Sequence, residues 1–516
     1  MLAAAAMALP AAADSLDQIG VTALRMVATN VDGGGISVAQ PEASAPTFEV
    51  NPSTVGQPTN LFTYASAAGT ATTFTNNVGV ESGHADSVAQ LFYGIPTGVA
   101  TNVAHVDNFD ADYFVNYYVV SNLAVLDASV VNQSFTYGAL SASDQQAVDS
   151  AFDDYAATFG KLFVSAACNV DISVRVCAPG TAYNCISVGA YQVNVGLANS
   201  SIGPTIDNGR CKPDITAPAG ATSFSTPQVA GAAAVLMQAA LRGDGGGDTN
   251  SASDPRTLKV LLLNGAVKPV DWTNANSSPL DARYGAGVLS VLNSYEQLIG
   301  GKHGRSISTN LPLGAAHLPL VLTNPVSILR GWDFTTNSTT VTSDQVGHYF
   351  FNVTNYAGGG FFSATITLAW NRQAGQTNIN DFDLFLFNDA NSNLVACSTS
   401  RVDNVEHIFV PQLPAGRYDV EVLKNGGTNV VSNVETYALA WEFISPELKI
   451  TRTGTNAVLT WPPYPAGFLV EARTNLLGGA WSTNGFSVPL ITNGLNSIPL
   501  NTTNPLQFFR LRKPNL

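Results

Sequence analysis

Residues 221–231, ATSFSTPQVAG, place four small hydroxyl side chains (Thr222, Ser223, Ser225 and Thr226) directly before the apolar run AAAVLMQAAL. One reading is structural: they cap a core helix whose first turn accommodates Pro227. The other is chemical. A Ser at a helix start stands beside unpaired backbone N–H groups that can hold a developing oxyanion. Such a nucleophile needs a base to take its proton, a carboxylate to orient that base and further donors for the oxyanion. The chain has only six His residues. His84, in SGHADSVAQLFYG, opens a predicted helix behind a Gly, where its ring is free either to reach a neighbouring strand end or simply to interact with the helix. Asn169 follows the apolar run LFVSAAC. It reads either as a turn residue or as an amide donor at the C-terminal end of a strand, where open α/β sheets gather their sites.

The elements that position these residues come from periodicity. GISVAQ, AVLDASVVNQSF, GKLFVSAAC and CISVGAY read as strands. ESGHADSVAQLFYG, SDQQAVDSAFDDYAATFG and STPQVAGAAAVLMQAALRG read as helices between them. Strands alternating with helices over residues 19–301 predict an α/β domain with a parallel sheet flanked by helices. LRGDGGGDTNSASDP is a Gly-rich surface loop within it, not a phosphate loop, because no Gly-Lys-Ser/Thr leads into a helix. Past a linker at 302–326, the runs HYFFNV, FFSATITLAW, FDLFLF, HIFVPQL, RYDVEVL and TYALAWEF alternate between Gly, Asn and Asp turns, so 327–445 reads as an all-β sandwich. Residues 446–516, with AVLTW, FLVEAR and QFFRLR, read as a second, small β domain.

In chain order, these pieces resemble the subtilisin-like serine peptidases, the subtilases. Ala221 to Gly231 matches their Gly-Thr-Ser-Met-Ala-x-Pro-x-Val-Ala-Gly, with Ser223 as nucleophile. KPDITAPAG (Lys212 to Gly220) matches Lys-Pro-Asp-x-x-Ala-Pro-Gly, HADSVA loosely matches the base motif at His84, and SAACN matches Ala-Ala-Gly-Asn at the oxyanion residue Asn169. VVNQSF resembles a strand lining the substrate cleft, which implies cleft roles for Ser134, Phe135, Ala166 and Ala167; ISVGA matches a core strand and YGAGVLSV the end of the peptidase domain. GGGISVAQPEAS follows the rhythm of the family's acid-bearing strand, but the acid is Glu42; a Glu carboxylate can support an imidazolium if the backbone retreats by about one methylene. Asp32, in NVDGGG, is the rival acid and looks like a turn residue.

Other departures are Ala221 in place of the Gly before Thr222, and Cys168 in place of the Gly before Asn169. The sedolisins share Ser-Thr-Pro after the nucleophile but lack the base His and carry Asp in the oxyanion hole, so His84 and Asn169 favour the subtilisin type, with activity near neutral to alkaline pH. The resemblance implies a secreted endopeptidase that hydrolyses protein or peptide substrates through an acyl-enzyme, with no cofactor for catalysis. A catalytically degenerate, peptide-binding or cell-surface relative is the competing expectation, motivated by Glu42, Cys168 and the loose His motif.

The C-terminal regions add less. Residues 327–445 resemble the pre-peptidase C-terminal sandwich of secreted bacterial peptidases, and Asp381, Asp383 and Asp389 are candidate ligands for a structural calcium, or else turn and edge-strand residues. The last domain weakly resembles the fibronectin type III kind and is a candidate for surface attachment. A net charge of −14 with no basic stripe argues against nucleic acid. No later segment has the roughly twenty apolar residues of a membrane helix. The Ala-rich residues 1–18 read as a signal-peptide remnant lacking its basic region, or as an Ala-rich helix. Low charge, 12%, suits an extracellular protein. Five Cys residues lack zinc-site spacing; one or two disulfides, with Cys177 and Cys185 the nearest pair, stand against buried free thiols.

Overall fold

A computed structural model describes residues 15–512, apart from 44, 170–174, 193–195, 321–324, 327, 355–360, 429, 454–455, 464–467, 476–477, 479, 493–494 and 501–506. Residues 1–14 of the expected signal remnant lie outside the described residues. Of the rest of that stretch, α1 (Ser15–Gln18) buries Leu16 in the main core, and α2 (Val21–Val27), which follows it, buries Val21 and Leu24 there.

The first domain is built on nine strands. In sheet order they run β10-β9-β8-β7-β1-β6-β3-β4, with β11 on the other side of β9. Their spans are β1 (Ser37–Glu42), β3 (Phe62–Ser66), β4 (Gly69–Ala71), β6 (His105–Asp110), β7 (Val130–Gln133), β8 (Leu162–Ala166), β9 (Cys185–Gln192), β10 (Gly196–Leu197) and β11 (Ile215–Pro218). Short strands β2 (Thr47–Glu49) and β5 (Val80–Glu81) form a separate ribbon. The neighbours of β1, β7, β8 and β11 pair in parallel, as the alternation of strands and helices predicts. Central β1 is buried from Val38 to Glu42. It tolerates Pro41 because its ladder to β7 ends at Ala39, so beyond that point no partner on that side requires an N–H.

Helices α3 (Gly83–Phe92), α5 (Ala142–Phe159), α8 (Pro255–Asn264) and α9 (Val291–Ile299) surround the central α6 (Thr222–Arg242), with short turns of helix at α4 (Ala111–Phe114) and α7 (Thr249–Ala252). α6 is buried nearly throughout, and its run of Ala lets β7, β8 and β9 approach its axis closely. The loop AVLDAS, expected to extend β7, is not strand. Its backbone is tied to α5 instead: the Tyr155 hydroxyl accepts from Leu126 N–H and donates to Ala124 O.

The stretch expected to be a linker supplies a strand. β12 (Ile307–Pro312) pairs antiparallel with β14 (Ser343–Val353), opening a five-stranded sheet β12-β14-β19-β16-β17. The facing four-stranded sheet runs β13-β20-β15-β18. The remaining spans are β13 (Arg330–Ser338), β15 (Phe361–Trp370), β16 (Phe382–Asn388), β17 (Asn393–Ser398), β18 (Val405–Pro414), β19 (Gly416–Lys424) and β20 (Val434–Ile444). Tyr349, Phe351, Val420, Val422 and Trp441 fill the space between the sheets, alternating with residues on the outer faces. The last domain packs β21 (Lys449–Thr453), β22 (Asn456–Trp461), β24 (Leu490–Thr492) and β25 (Leu495–Leu500) against the pair β23 (Leu469–Arg473) and β26 (Phe508–Arg512), around Leu459, Trp461 and Val470.

The peptidase-like domain and the first sandwich share one hydrophobic core, to which the sandwich contributes Trp332, Ala369, Val405, Ala438 and Ala440. All five thiols are free. Of the two readings of the Cys residues the free thiols are the one seen: Cys185 Sγ turns into the carbonyls of Pro179, Gly180 and Ala182, and the Cys177 thiol faces Cys168. Among the described residues no helix is long and apolar enough to cross a membrane.

Candidate active site

Parallel strands deliver their C-terminal ends to one edge of the sheet, and the chemistry-bearing residues gather there. Glu42 ends β1, Ser134 follows β7, Asn169 follows β8, and Ser223 opens α6 just past β11. His84 enters at the first turn of α3, whose N-cap Ser82 accepts a hydrogen bond from Ala85 N–H.

His84 and Glu42 meet. His84 Nδ1 lies 2.8 Å from Glu42 Oε2. Glu42 is fully buried, whereas the His84 side chain is 40% exposed and so open to a substrate. The other Glu42 oxygen accepts from Gln40 Nε2 at 2.9 Å; that amide also donates to Ala85 O, and Tyr93 O–H donates to Gln40 Oε1 at 2.7 Å. Glu42 is thus fixed by a chain that reaches both ends of α3. The hydrogen bond to Glu42 raises the His84 pKa above its ordinary 6.5, prevailing over the opposing effect of burial. Asp32 takes no part. It sits at the far end of β1, where its carboxylate accepts from Gly34 N–H in a turn and its backbone N–H donates to Gln238 near the C-terminal end of α6.

Asn169 and the start of α6 form a second unit. α6 has Ala221 at its N-cap and no capping side chain of its own. Asn169 Oδ1 supplies the missing acceptor, taking Thr222 N–H at 2.6 Å and Thr222 Oγ1–H at 2.7 Å. That fixes the amide orientation, so that Nδ2 faces Ser223 Oγ at 3.5 Å. The other hydroxyls of the run are tied down, Thr222 Oγ1 donating to Asn169 Oδ1 and Ser225 and Thr226 both donating to Thr222 O, while the Ser223 hydroxyl lies beside Asn169 Nδ2 and Ser134 O.

Pro227 lies in the second turn of α6 rather than the first. Lacking an N–H, it leaves the Ser223 carbonyl without its i+4 helical donor, and Ser134 Oγ fills that vacancy at 2.9 Å. Ser134 O is in turn 3.5 Å from Ser223 Oγ. Of the other expected cleft residues, Phe135 is half-buried against Tyr137. Ala167 has both main-chain groups engaged, with Val188 and Cys177, and Ala166 beside it is buried.

Among the described residues no hydrogen bond joins His84 to Ser223. The His84 ring instead lies 5.8 Å from the Phe224 ring, centroid to centroid. Unliganded sites often hold the nucleophile and base apart until a substrate closes them. Gln40, Tyr93 and Phe224 escape a reading of motifs. Gln40 was within reach, since residues two apart on a strand share a face and Gln40 therefore faces the same way as Glu42.

Residues 67–287 match the Subtilase family. This domain is a subtilase domain. The match includes His84, Asn169 and Ser223 and begins after Glu42. No curated protein matches the chain. Among solved structures, the subtilase domain is similar to the prenylagaramide maturation protease PagA (18% identity, 55% of this chain, 99% of that chain, TM-score 0.39). It is also similar to a cold adapted subtilisin-like serine proteinase (21%, 51% and 90%, TM-score 0.34) and to a protease of Pseudoalteromonas arctica (19%, 52% and 91%, TM-score 0.34).

The residue before the subtilase domain's Asn169 departs from the family pattern in type, while its backbone has the positive φ that a Gly adopts freely. Cys168 has φ 99°, a region that costs a side chain with a Cβ. Hydrogen bonds hold it there: Ser201 N–H donates to Cys168 O, and Cys177 N–H to Ala167 O. The Cys177 thiol and the Thr136 hydroxyl beside it pull the Cys168 thiol below its usual range.

The three acids expected to bind calcium do not converge. Asp383 and Asp389 flank opposite ends of β16, roughly 20 Å apart at the rise of a strand. Asp389 pairs with Arg417, and Asp383 accepts from Asn425.

Proposed function

We propose that the chain is a secreted serine endopeptidase that uses a Ser-His-Glu variant of the subtilisin triad. The 2.8 Å contact between His84 Nδ1 and the buried Glu42 carboxylate carries this reading, because it fixes the tautomer that leaves Nε2 free to act as base. Ser223 Oγ attacks the peptide carbonyl while His84 Nε2 accepts its proton. The oxyanion of the tetrahedral intermediate is held by Asn169 Nδ2 and by the Ser223 backbone N–H in the first turn of α6. Collapse passes the proton from His84 to the leaving amine and leaves an acyl-enzyme. Water, deprotonated by the same imidazole, then releases the acid and restores Ser223.

A second reading, a peptide-binding relative without turnover, is favoured by one observation: the Ser223 hydroxyl contacts Asn169 and Ser134, not His84. Labelling with a fluorophosphonate near pH 8 separates the two. Labelling that disappears in Ser223→Ala and falls strongly in His84→Ala and Glu42→Ala supports the peptidase. A folded protein that never labels would establish the binding protein.

A further inference from the structure

The outward face of the five-stranded sheet in the first sandwich holds a cluster that packing does not account for. His348 on β14 and Glu421 on β19 are direct cross-strand partners, and Asp419 lies two residues from Glu421 on the same face. This face points away from the core residues Tyr349, Val420 and Val422, yet His348, Asp419 and Glu421 are essentially inaccessible to solvent. The chain after β12 lies over them. His317 Nδ1 contacts Glu421 Oε2 at 2.5 Å, and Leu320 N–H donates to Asp419 Oδ2 at 3.2 Å.

Burying two carboxylates is costly unless their charge is balanced and their oxygens are satisfied. Here the satisfaction is incomplete: Asp419 Oδ1 and Glu421 Oε1 are buried and accept no hydrogen bond. The ligand atoms that His348, Asp419 and Glu421 offer all lie within 4.8 Å of one another. Donors at about 2.0–2.2 Å from one tetrahedral ion sit roughly 3.4 Å apart, a modest contraction from that spacing.

The groups around the cluster are those that orient metal ligands. His348 Nδ1 lies 2.8 Å from Asp419 Oδ2 and Nε2 2.9 Å from Thr309 Oγ1; in the tautomer that donates Nε2–H to that hydroxyl, the Nδ1 lone pair faces the two carboxylates. Each carboxylate is steadied on one oxygen from the covering segment, by Leu320 N–H on Asp419 and by His317 on Glu421. The phenyl ring of Phe385 packs edge-on to the His317 ring at 4.3 Å and keeps that side apolar.

We propose that His348, Asp419 and Glu421 bind one divalent transition-metal ion of the zinc class. One imidazole and two carboxylates neutralise a 2+ charge and leave a fourth position open. The donor set is too poor in oxygen for calcium, which takes six to eight oxygen ligands. The ion clips the segment after β12 onto the sandwich through the outer hydrogen bonds of its ligands.

The test uses the full-length chain, stripped with a chelator and titrated with Co2+ and Zn2+. The expected result is one equivalent of Co2+ giving visible absorption of a low-symmetry site, displaced by Zn2+ and not by excess Ca2+. Asp419→Asn and Glu421→Gln abolish that stoichiometric signal. Thr309→Val, which removes no ligand, weakens binding by about 10- to 100-fold. A folded wild-type chain that takes up no Co2+ or Zn2+ would overturn the site. So would binding that is unchanged in Thr309→Val and in whichever carboxylate variants fold, and displacement by Ca2+ would overturn the zinc-class assignment.

Discussion

The contact between His84 and Glu42 makes a prediction about pH. The imidazole must be neutral to accept the Ser223 proton, and its hydrogen bond to Glu42 raises its pKa above 6.5. The acid limb of kcat/KM is therefore expected above pH 6.5. In Glu42→Gln the carboxylate's contribution is gone and only burial remains, which lowers the pKa, so the limb moves to lower pH while the plateau falls, on the order of 10⁴-fold if the wrong tautomer is favoured. A limb that stays in place would remove Glu42 from the site. A pH series of kcat/KM on both proteins reads this directly. Cys168 offers a stability test. At φ 99° a glycine relieves the steric conflict, so Cys168→Gly is expected to raise stability by about 1 kcal/mol in denaturant unfolding. The residue types at this scale were legible because a nucleophile, a base and an amide occur in order along the chain. What was not legible is which oxygen meets which donor: Asn169 reads as an oxyanion residue from its position, but its role as the cap of α6 depends on a helix start more than fifty residues away.

Among the elements, α3 and α5 could be read from periodicity because each buries one broad face over several turns, and α6, buried nearly throughout, from its long apolar run. β7 is shorter than its apolar run suggests because the preceding residues are held by Tyr155 rather than by a neighbouring strand. Pro227 is the element whose sequence signal was present and misread. A Pro at the sixth position of a helix removes one backbone bond, and here the freed carbonyl belongs to Ser223 and is held by Ser134. In Pro227→Ala an N–H again competes for that carbonyl. Thermal stability is expected to rise, by up to about 3 kcal/mol, while kcat falls as the Ser134 contact loosens. Calorimetry and turnover measured on the same preparation would separate the two effects. A variant with unchanged turnover would show that the Ser134 bond does not position Ser223. The buried Lys212–Asp214 pair, 2.7 Å apart, gives a further element-scale expectation. Asp214→Asn strands Lys212, and Lys259 beside it, without a counter-charge, at a cost of about 3–5 kcal/mol in equilibrium unfolding.

At the scale of the whole molecule, the division into an α/β unit and strand-rich C-terminal units followed from texture, but their mechanical union did not. β12, Ile-Ser-Thr-Asn-Leu-Pro, is exposed except for half-buried Thr309 and Leu311 and has no apolar alternation, so nothing in its sequence distinguishes it from a linker. The shared core is equally invisible, because Trp332 reads as an ordinary sandwich residue until its Nε1–H is seen donating to Leu298 O of α9. The joint also contains charge. Arg372 of the sandwich donates from Nε to Asp153 of α5 at 3.0 Å, and its backbone N–H donates to Asn184 Oδ1. Both Arg372 and Asp153 are buried, and burial already holds the Asp153 pKa above its ordinary value while Arg372 opposes that shift. Arg372→Ala removes the opposition, so the carboxyl pKa rises further in the folded state than in the unfolded one. An acid shifted this way favours the fold when protonated, and that contribution is lost as pH climbs from the unfolded value toward the raised folded one. The variant is therefore expected to lose more stability at pH 8 than at pH 4, by about 3–5 kcal/mol where the carboxylate is ionised. Because the core is continuous across the joint, the loss falls on a single cooperative transition of the subtilase domain and first sandwich together, measurable by calorimetry at both pH values. A transition in which only the sandwich shifts would show that the two units fold independently despite their common core.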